Sequence, residues 1–184
     1  MSEQALLVMD VQRVIVDRYP DPAYLPRLRK AIEAARANGV RVIYVTVGFR
    51  PGAPEISPRN KLFGRLAGSP ASAAATQANE IHPDVAPEPG DILVTKRRVS
   101  AFAGSDLDMV LRANGIDHLV LTGIATSGVV LSTLRQAADL DFTLTVLSDA
   151  CLDNDPEVHR VLTEKVFPMQ AEVTTVADWM AAAR

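Results

Sequence analysis

The stretch Leu119–Asp139 reads LVLTGIATSGVVLSTLRQAAD, and the rest of the chain is organised around it. Leu119-Val120-Leu121 is an apolar run short enough for a buried strand. Gly123 breaks the run, and Thr126 opens a pattern with Val130, Leu134 and Ala138 at spacings of four, which predicts a helix. A strand that turns sharply into a helix aims backbone N–H groups at whatever lies above the sheet, where they hold an anion or a developing negative charge.

Outward from that turn, elements alternate. Ala5–Met9 is a continuous apolar run ending at Asp10, the signature of a buried parallel strand. Residues 11–22 read as a loop with Gln12, Arg13, Asp17 and Arg18 as its polar groups. Residues 24–38 carry Leu25, Leu28, Ile32 and Ala35 on one helical face, with Gly39 as a stop. The β-branched run 40–47 and the segment 91–95 predict two more strands, the latter leading into Lys96. Residues 105–114 predict a helix capped by Ser105 and closed by Gly115. Residues 142–147 predict a strand ending at Ser148-Asp149. Asp155 caps a helix with Pro156 at its first position, running to about Val166. A strand over 171–175 and a helix over 176–183 close the chain.

This order calls for a single α/β domain over 1–184, a parallel sheet with helices on both faces. Our expectation is a three-layer α/β/α arrangement of six strands in the order 3-2-1-4-5-6. Segment 48–90 is irregular and rich in Pro and Gly, with a short helix expected over 59–66 and an Ala/Ser patch at 71–75. A loop of such length in a compact domain usually carries function. It is expected to cover the sheet edge and to offer Phe49, Arg50 and Phe63 to a substrate.

Composition excludes several function classes. A net charge of −3 argues against nucleic acid or an anionic membrane as partner. No run approaches the length of a membrane span, and the opening MSEQALLVMD lacks the basic region of a signal peptide. One cysteine, Cys151, excludes an intramolecular disulfide framework and fits a reducing, cytoplasmic setting. His82, His118 and His159 lack ligand spacing, so no metal is expected. No cofactor is expected either.

Asp10, Lys96 and the turn Gly123–Val129 each fall at the C-terminal end of an expected strand. Open α/β sheets gather such ends into one cleft where the strand order reverses. An Asp and a Lys together form an acid/base pair whose balance is set by burial against mutual attraction.

Three motifs resemble the isochorismatase-like cysteine hydrolases. Asp10-Val11-Gln12 follows an apolar strand. Lys96 is followed by Ser100-Ala101-Phe102, then by Leu107 and Leu111. Gly123-Ile124-Ala125-Thr126-Ser127-Gly128-Val129-Val130 matches the central turn, with Thr133 further on. Together they cover about residues 5–152. The resemblance implies a Rossmann-like sheet of the order given above and a commonly dimeric or higher assembly. It also implies a Cys thiolate attacking a carbonyl or nitrile-like carbon, with Asp as proton acceptor and two backbone amides binding the oxyanion. By position those amides belong to Ala125 and Val129, after a peptide often cis in the family. Where the family has its nucleophilic Cys, this chain has Val129. Members that cleave a vinyl ether carry a small residue there and use Asp as a general acid. The histidines that bind metal in the related nicotinamidases have no counterpart here.

The resemblance thus implies a hydrolase acting on a small-molecule vinyl ether, amide or related C–O or C–N bond. Asp10 and Lys96 would do the acid/base work without a covalent Cys intermediate. Gln12, Phe49, Arg50, Ser100, Phe102, Thr126, Ser127 and Gly128 are the substrate-binding candidates. Neither Thr126 nor Ser127 has a His within the motif to activate it, and Cys151 reads as a buried small hydrophobe. The alternative is a catalytically silent relative that binds a small carboxylate or serves as an assembly partner. A homo-oligomer is expected, from apolar residues (Ile56, Leu62, Phe63, Leu66, Val166, Phe167) in excess of one sheet face.

Overall fold

In the computed structural model, residues 3–67 and 80–182 are described. The Ala/Ser patch at 71–75 lies outside them. Six strands form one sheet: β1 Glu3–Met9, β2 Arg41–Val47, β3 Ile92–Lys96, β4 Ile116–Ile124, β5 Thr143–Leu152 and β6 Glu172–Thr174. Their order is β3-β2-β1-β4-β5-β6, and every pair is parallel, as the alternating pattern requires.

The pleat of β1 assigns its side chains to two cores. Ala5, Leu7 and Met9 pack with Leu107, Leu111, Leu134 and Phe167. Leu6 and Val8 pack with Leu28, Ile32 and Val176. The helices therefore flank the sheet: α2 Tyr24–Ala37 and α6 Val176–Ala182 on one face, α3 Leu107–Ala113 and α4 Leu131–Asp139 on the other. This arrangement is the expected α/β/α layering. Asp155 Oδ1 accepts from Glu157 N and Val158 N at the start of α5 Pro156–Val161, as expected. By contrast, α3 starts later than expected, at Leu107 with Asp106 as its N-cap, and Ser105 Oγ accepts from Leu107 N one residue before that cap.

Three further expectations of local structure fail. Within the expected loop 11–22, Arg13–Val16 forms a one-turn helix, α1, too short for periodicity to show. Residues 59–63 are turns rather than helix, followed by a 3-10 turn Gly64–Leu66. The third concerns β5, which does not stop at Ser148-Asp149. The register runs Leu121↔Val146 and then Gly123↔Cys151, so extra residues of β5 bulge out before pairing resumes. The bulge is pinned: Asp149 Oδ1 accepts from Val176 N, and its carbonyl accepts from Arg27 Nε.

Gly123 brings β4 against the end of β1. Its φ is 137°, and a Cβ there would lie 2.2 Å from the Met9 carbonyl oxygen, next to Asp10. Backbone, unlike a side-chain tip, cannot move aside cheaply. Gly123→Ala is expected to cost about 2–4 kcal/mol, combining left-handed strain with the clash. Chemical denaturation checks it; an unchanged midpoint would mean that the strands part without cost.

The apolar residues cited for assembly are partly absorbed within the chain. Phe167 is fully buried in the first core, and Ile56 is buried in a small cluster with Phe49. Among the described residues no helix is long and apolar enough to cross a membrane.

Candidate active site

β1 and β4 are adjacent at the point where strand order reverses, and a cleft of about 820 Å³ opens there. Its floor is made by Asp10, Lys96, Ala125, Gly128 and Val129. Asp10 directly follows β1 with φ 56°, its amide donating to Val45 O at 2.8 Å. Lys96, the last residue of β3, reaches across the end of β2 to place Nζ 3.0 Å from Asp10 Oδ2. The two side chains, Lys96 and Asp10, are only 2% and 10% exposed. Lys96 Nζ also donates to Arg98 O, while among the described residues Asp10 Oδ1 has no hydrogen-bond partner.

Burial dominates the Asp10 carboxyl and pushes its pKa up to about 6, although the Lys96 ammonium pulls the other way. A carboxyl so placed changes protonation near neutrality, which suits it to carry a proton during a reaction.

Gln12 also reaches the cleft, but its amide is committed to β2: Nε2 donates to Val47 O and Oε1 accepts from Val47 N. It holds the end of β2 against the loop after β1. Phe49 lines the cleft in an edge-to-face contact with Phe63, ring centroids 5.4 Å apart. Gly128 breaks the helical run, with φ −99° and ψ −105°, inside a wide turn Thr126–Val130. The Ile124–Ala125 peptide is cis, as the resemblance implied.

Other candidates lie elsewhere. Arg50 belongs to a neighbouring depression, 3.5 Å from Glu55 and lined further by Arg97 and Arg98. Ser100 Oγ donates to Gln136 Oε1, and Ala101 N donates to Thr133 Oγ1, so this stretch fastens the Lys96 loop to α4. Phe102 packs in the core, 6.0 Å from the Phe142 ring. None of Arg50, Ser100 or Phe102 lines the cleft. The resemblance located Ser100 and Phe102 and the irregular loop offered Arg50, but side-chain direction decides what they touch.

Thr126 and Ser127 also stay out of the lining, for a reason that sequence spacing could not show. Thr126 Oγ1 is 2.8 Å from His159 Nδ1, and Ser127 N donates to Asp153 Oδ2 at 2.7 Å. A His thus does meet Thr126, from outside the motif. Because Thr126 is fully buried away from the cleft, the contact anchors the turn rather than activating a nucleophile. Burial holds the His159 pKa below its ordinary value against the pull of Asp153, so the ring is neutral at pH 7. Burial opposes ionisation of Asp153, but hydrogen bonds from Ser127 and from the amides of Asp155 and Asn154 outweigh it. The segment after β5 therefore clamps the first two residues of the turn. Cys151 is buried in β5 and outside the cleft, its thiol pushed up to about 12 by burial. Among the described residues no three His, Cys, Asp or Glu side chains gather as a metal site.

The sheet thus carries a buried Asp–Lys pair at its strand-order reversal together with a cis-peptide turn, and comparison with known proteins assigns the chain to a family. The Isochorismatase domain family matches residues 4–178, so the chain belongs to that family and is a hydrolase of it. It is 38% identical over 180 residues to the ureidoacrylate amidohydrolase RutB of Stutzerimonas stutzeri, covering 85% of this chain and 72% of that one. An isochorismatase family protein from Burkholderia thailandensis superposes with a TM-score of 0.86 at 30% identity, covering 98% of this chain and 95% of that one. The N-carbamoylsarcosine amidase of Thermoplasma acidophilum superposes with a TM-score of 0.74, also at 30% identity, covering 95% and 96%.

Proposed function

We propose that this protein hydrolyses a C–N or C–O bond of a small molecule by direct attack of water, with Asp10 carrying the proton and no covalent thiol intermediate. The observation that carries the reading is the buried Asp10–Lys96 pair, with the Asp10 carboxyl raised to about 6, in a cleft lined also by Val129 and, among the described residues, by no cysteine. Val129 stands where the family's Cys belongs, and an alkyl side chain cannot become a nucleophile whatever surrounds it.

For an amide or ureide, the bond class named for two of the relatives, Asp10 acts in its ionised form. It takes a proton from water as the oxygen attacks the carbonyl carbon. The oxyanion falls against the backbone amides of Ala125 and Val129. Asp10 then passes the proton to the leaving nitrogen, so water is divided between acid and amine. Lys96 restrains the Asp10 pKa and fixes the carboxylate through Oδ2, leaving Oδ1 to meet the water. For a vinyl ether the roles reverse: neutral Asp10 protonates the terminal carbon, water adds to the resulting oxocarbenium carbon and returns a proton to Asp10, and the hemiketal breaks its C–O bond to release a ketone and an alcohol.

The pH profile separates the two. Amide hydrolysis needs the carboxylate, so kcat/KM rises with pH through about 6. Vinyl-ether cleavage needs the neutral acid, so it falls through the same value. We expect turnover in a panel of N-carbamoyl and ureido acids, small amides and vinyl ethers including isochorismate. Absence of turnover across the panel, together with a ligand recovered unchanged, would replace the hydrolase reading with that of a silent binder.

A further inference from the structure

The charges of the cleft are divided by depth. Its floor carries one anion and one cation, Asp10 and Lys96, and they are committed to each other. Lys96 also donates to Arg98 O and is buried beside Asp10, so an anion that approached its third donor would lie next to the Asp10 carboxylate. The cleft has two further cations, Arg18 and Arg65, both exposed, and among the described residues neither makes an ion pair. Between floor and mouth the walls are apolar or aromatic: Ile15, Tyr19, Phe49, Phe63 and Leu66. At about 820 Å³ the cleft sits in the upper part of the usual range for ligand pockets, so there is room for a body well beyond the reacting bond.

These observations dictate an orientation. A carboxylate driven to the floor would meet ionised Asp10 in a site of low dielectric, where like charges repel most strongly. A carboxylate at the mouth meets two guanidinium groups whose forked donors suit it. The neutral scissile group is then the part that reaches the floor, and an apolar segment bridges the two ends.

We propose that the cleft selects amphipathic monocarboxylates, with an aryl or alkyl body on the Phe49–Phe63 wall and the carboxylate held by Arg18 and Arg65. The chemistry done on such a ligand rests on the hydrolase reading above; its binding does not.

Calorimetry on the full chain tests this with three probes: 3-phenylpropionate, 3-phenylpropionamide and propionate. 3-Phenylpropionate is expected to bind at least about tenfold more tightly than either of the others, since the amide lacks the charge and propionate the body. Arg18→Gln and Arg65→Gln, both at exposed positions that spare the core, should each weaken 3-phenylpropionate about five- to tenfold and leave the amide unchanged. Asp10→Asn should preserve or tighten 3-phenylpropionate binding, because it removes the repelling charge. Equal binding of acid and amide, of 3-phenylpropionate and propionate, or of wild type and both Arg variants, overturns the proposal. If the binding pattern holds while no amide, ureide or vinyl ether is turned over, the hydrolase reading fails and the specificity stands. Turnover without the pattern leaves the hydrolase reading standing and removes the specificity.

Discussion

Asp10→Asn is expected to lower kcat by about 10²–10⁴-fold on any substrate the wild type turns over, the range associated with loss of a positioned acid or base. The substitution is nearly isosteric, and the Asn carbonyl still accepts from Lys96, so the loss reports proton transfer rather than collapse of the floor. Stability should move the other way. The folded carboxyl titrates at about 6 against an ordinary value of 3.8, so the folded state binds more protons than the unfolded state between those values. Stability therefore falls as pH rises through that window, and stays lower above it. Asn never ionises and escapes this loss. At low pH the two proteins should be equally stable to within the change of side chain. At pH 7 the variant should be ahead by something on the order of 3 kcal/mol. Denaturant titration at pH 4 and pH 7 measures the difference, and kinetics at pH 7 measures the lost turnover. Wild-type rates in the variant would remove Asp10 from the chemistry. A variant no more stable at pH 7 than at pH 4, relative to wild type, would mean that Lys96 compensates Asp10 fully.

The sheet is legible in the sequence because each strand states its environment in a few consecutive residues. Ala5–Met9 is apolar on both faces because helices cover both faces, and the polar residue that ends the run, Asp10, falls where the strand leaves the sheet. Lys96 and the Gly123 break follow the same logic. What fails depends on contacts distant in sequence or on side-chain direction. His159 and Asp153 lie 33 and 26 residues from the turn they clamp, and nothing in the local pattern links them. The continuation of β5 past Asp149 depends on a bulge held by Arg27 and Val176, from two other helices. Ser100 lies on the expected loop, yet its hydroxyl points to Gln136 instead of the cleft. Arg18 is visible in the sequence as a charge in a loop; only the one-turn helix Arg13–Val16 and the fold of 61–66 bring it and Arg65 to one mouth.

Val129→Cys, made in a Cys151→Ser background, is expected to react with iodoacetamide on the order of a thousandfold faster than the wild-type protein at pH 7.5. Wild type offers only Cys151, whose thiol is buried and pushed up to about 12, so almost none of it is thiolate. The new thiol would stand on the cleft floor with Asp10 and Lys96. At that pH Asp10 is largely ionised, and an ionised carboxylate beside a thiol opposes a second negative charge unless it takes the proton itself. Proton transfer from the thiol to Asp10 removes that opposition and leaves the thiolate facing the Lys96 ammonium. The reactivity should therefore depend on Asp10: adding Asp10→Asn should slow alkylation of the new thiol by at least about tenfold, since no acceptor remains. Valine and cysteine are close in volume, so the exchange should cost under about 1.5 kcal/mol, and a stability measurement guards against a reactive unfolded fraction. Val129 is only 2% exposed, and iodoacetamide, a small neutral amide, must enter the same cleft as a substrate to reach it. A new thiol as inert as Cys151 would mean that position 129 does not face the reacting space. The non-covalent mechanism would then lose its reason, because Val129 would no longer mark where the family's nucleophile belongs. A thiol activated through Asp10 would show that the floor is built for acyl chemistry in all but one side chain, and slow amidase activity should accompany it.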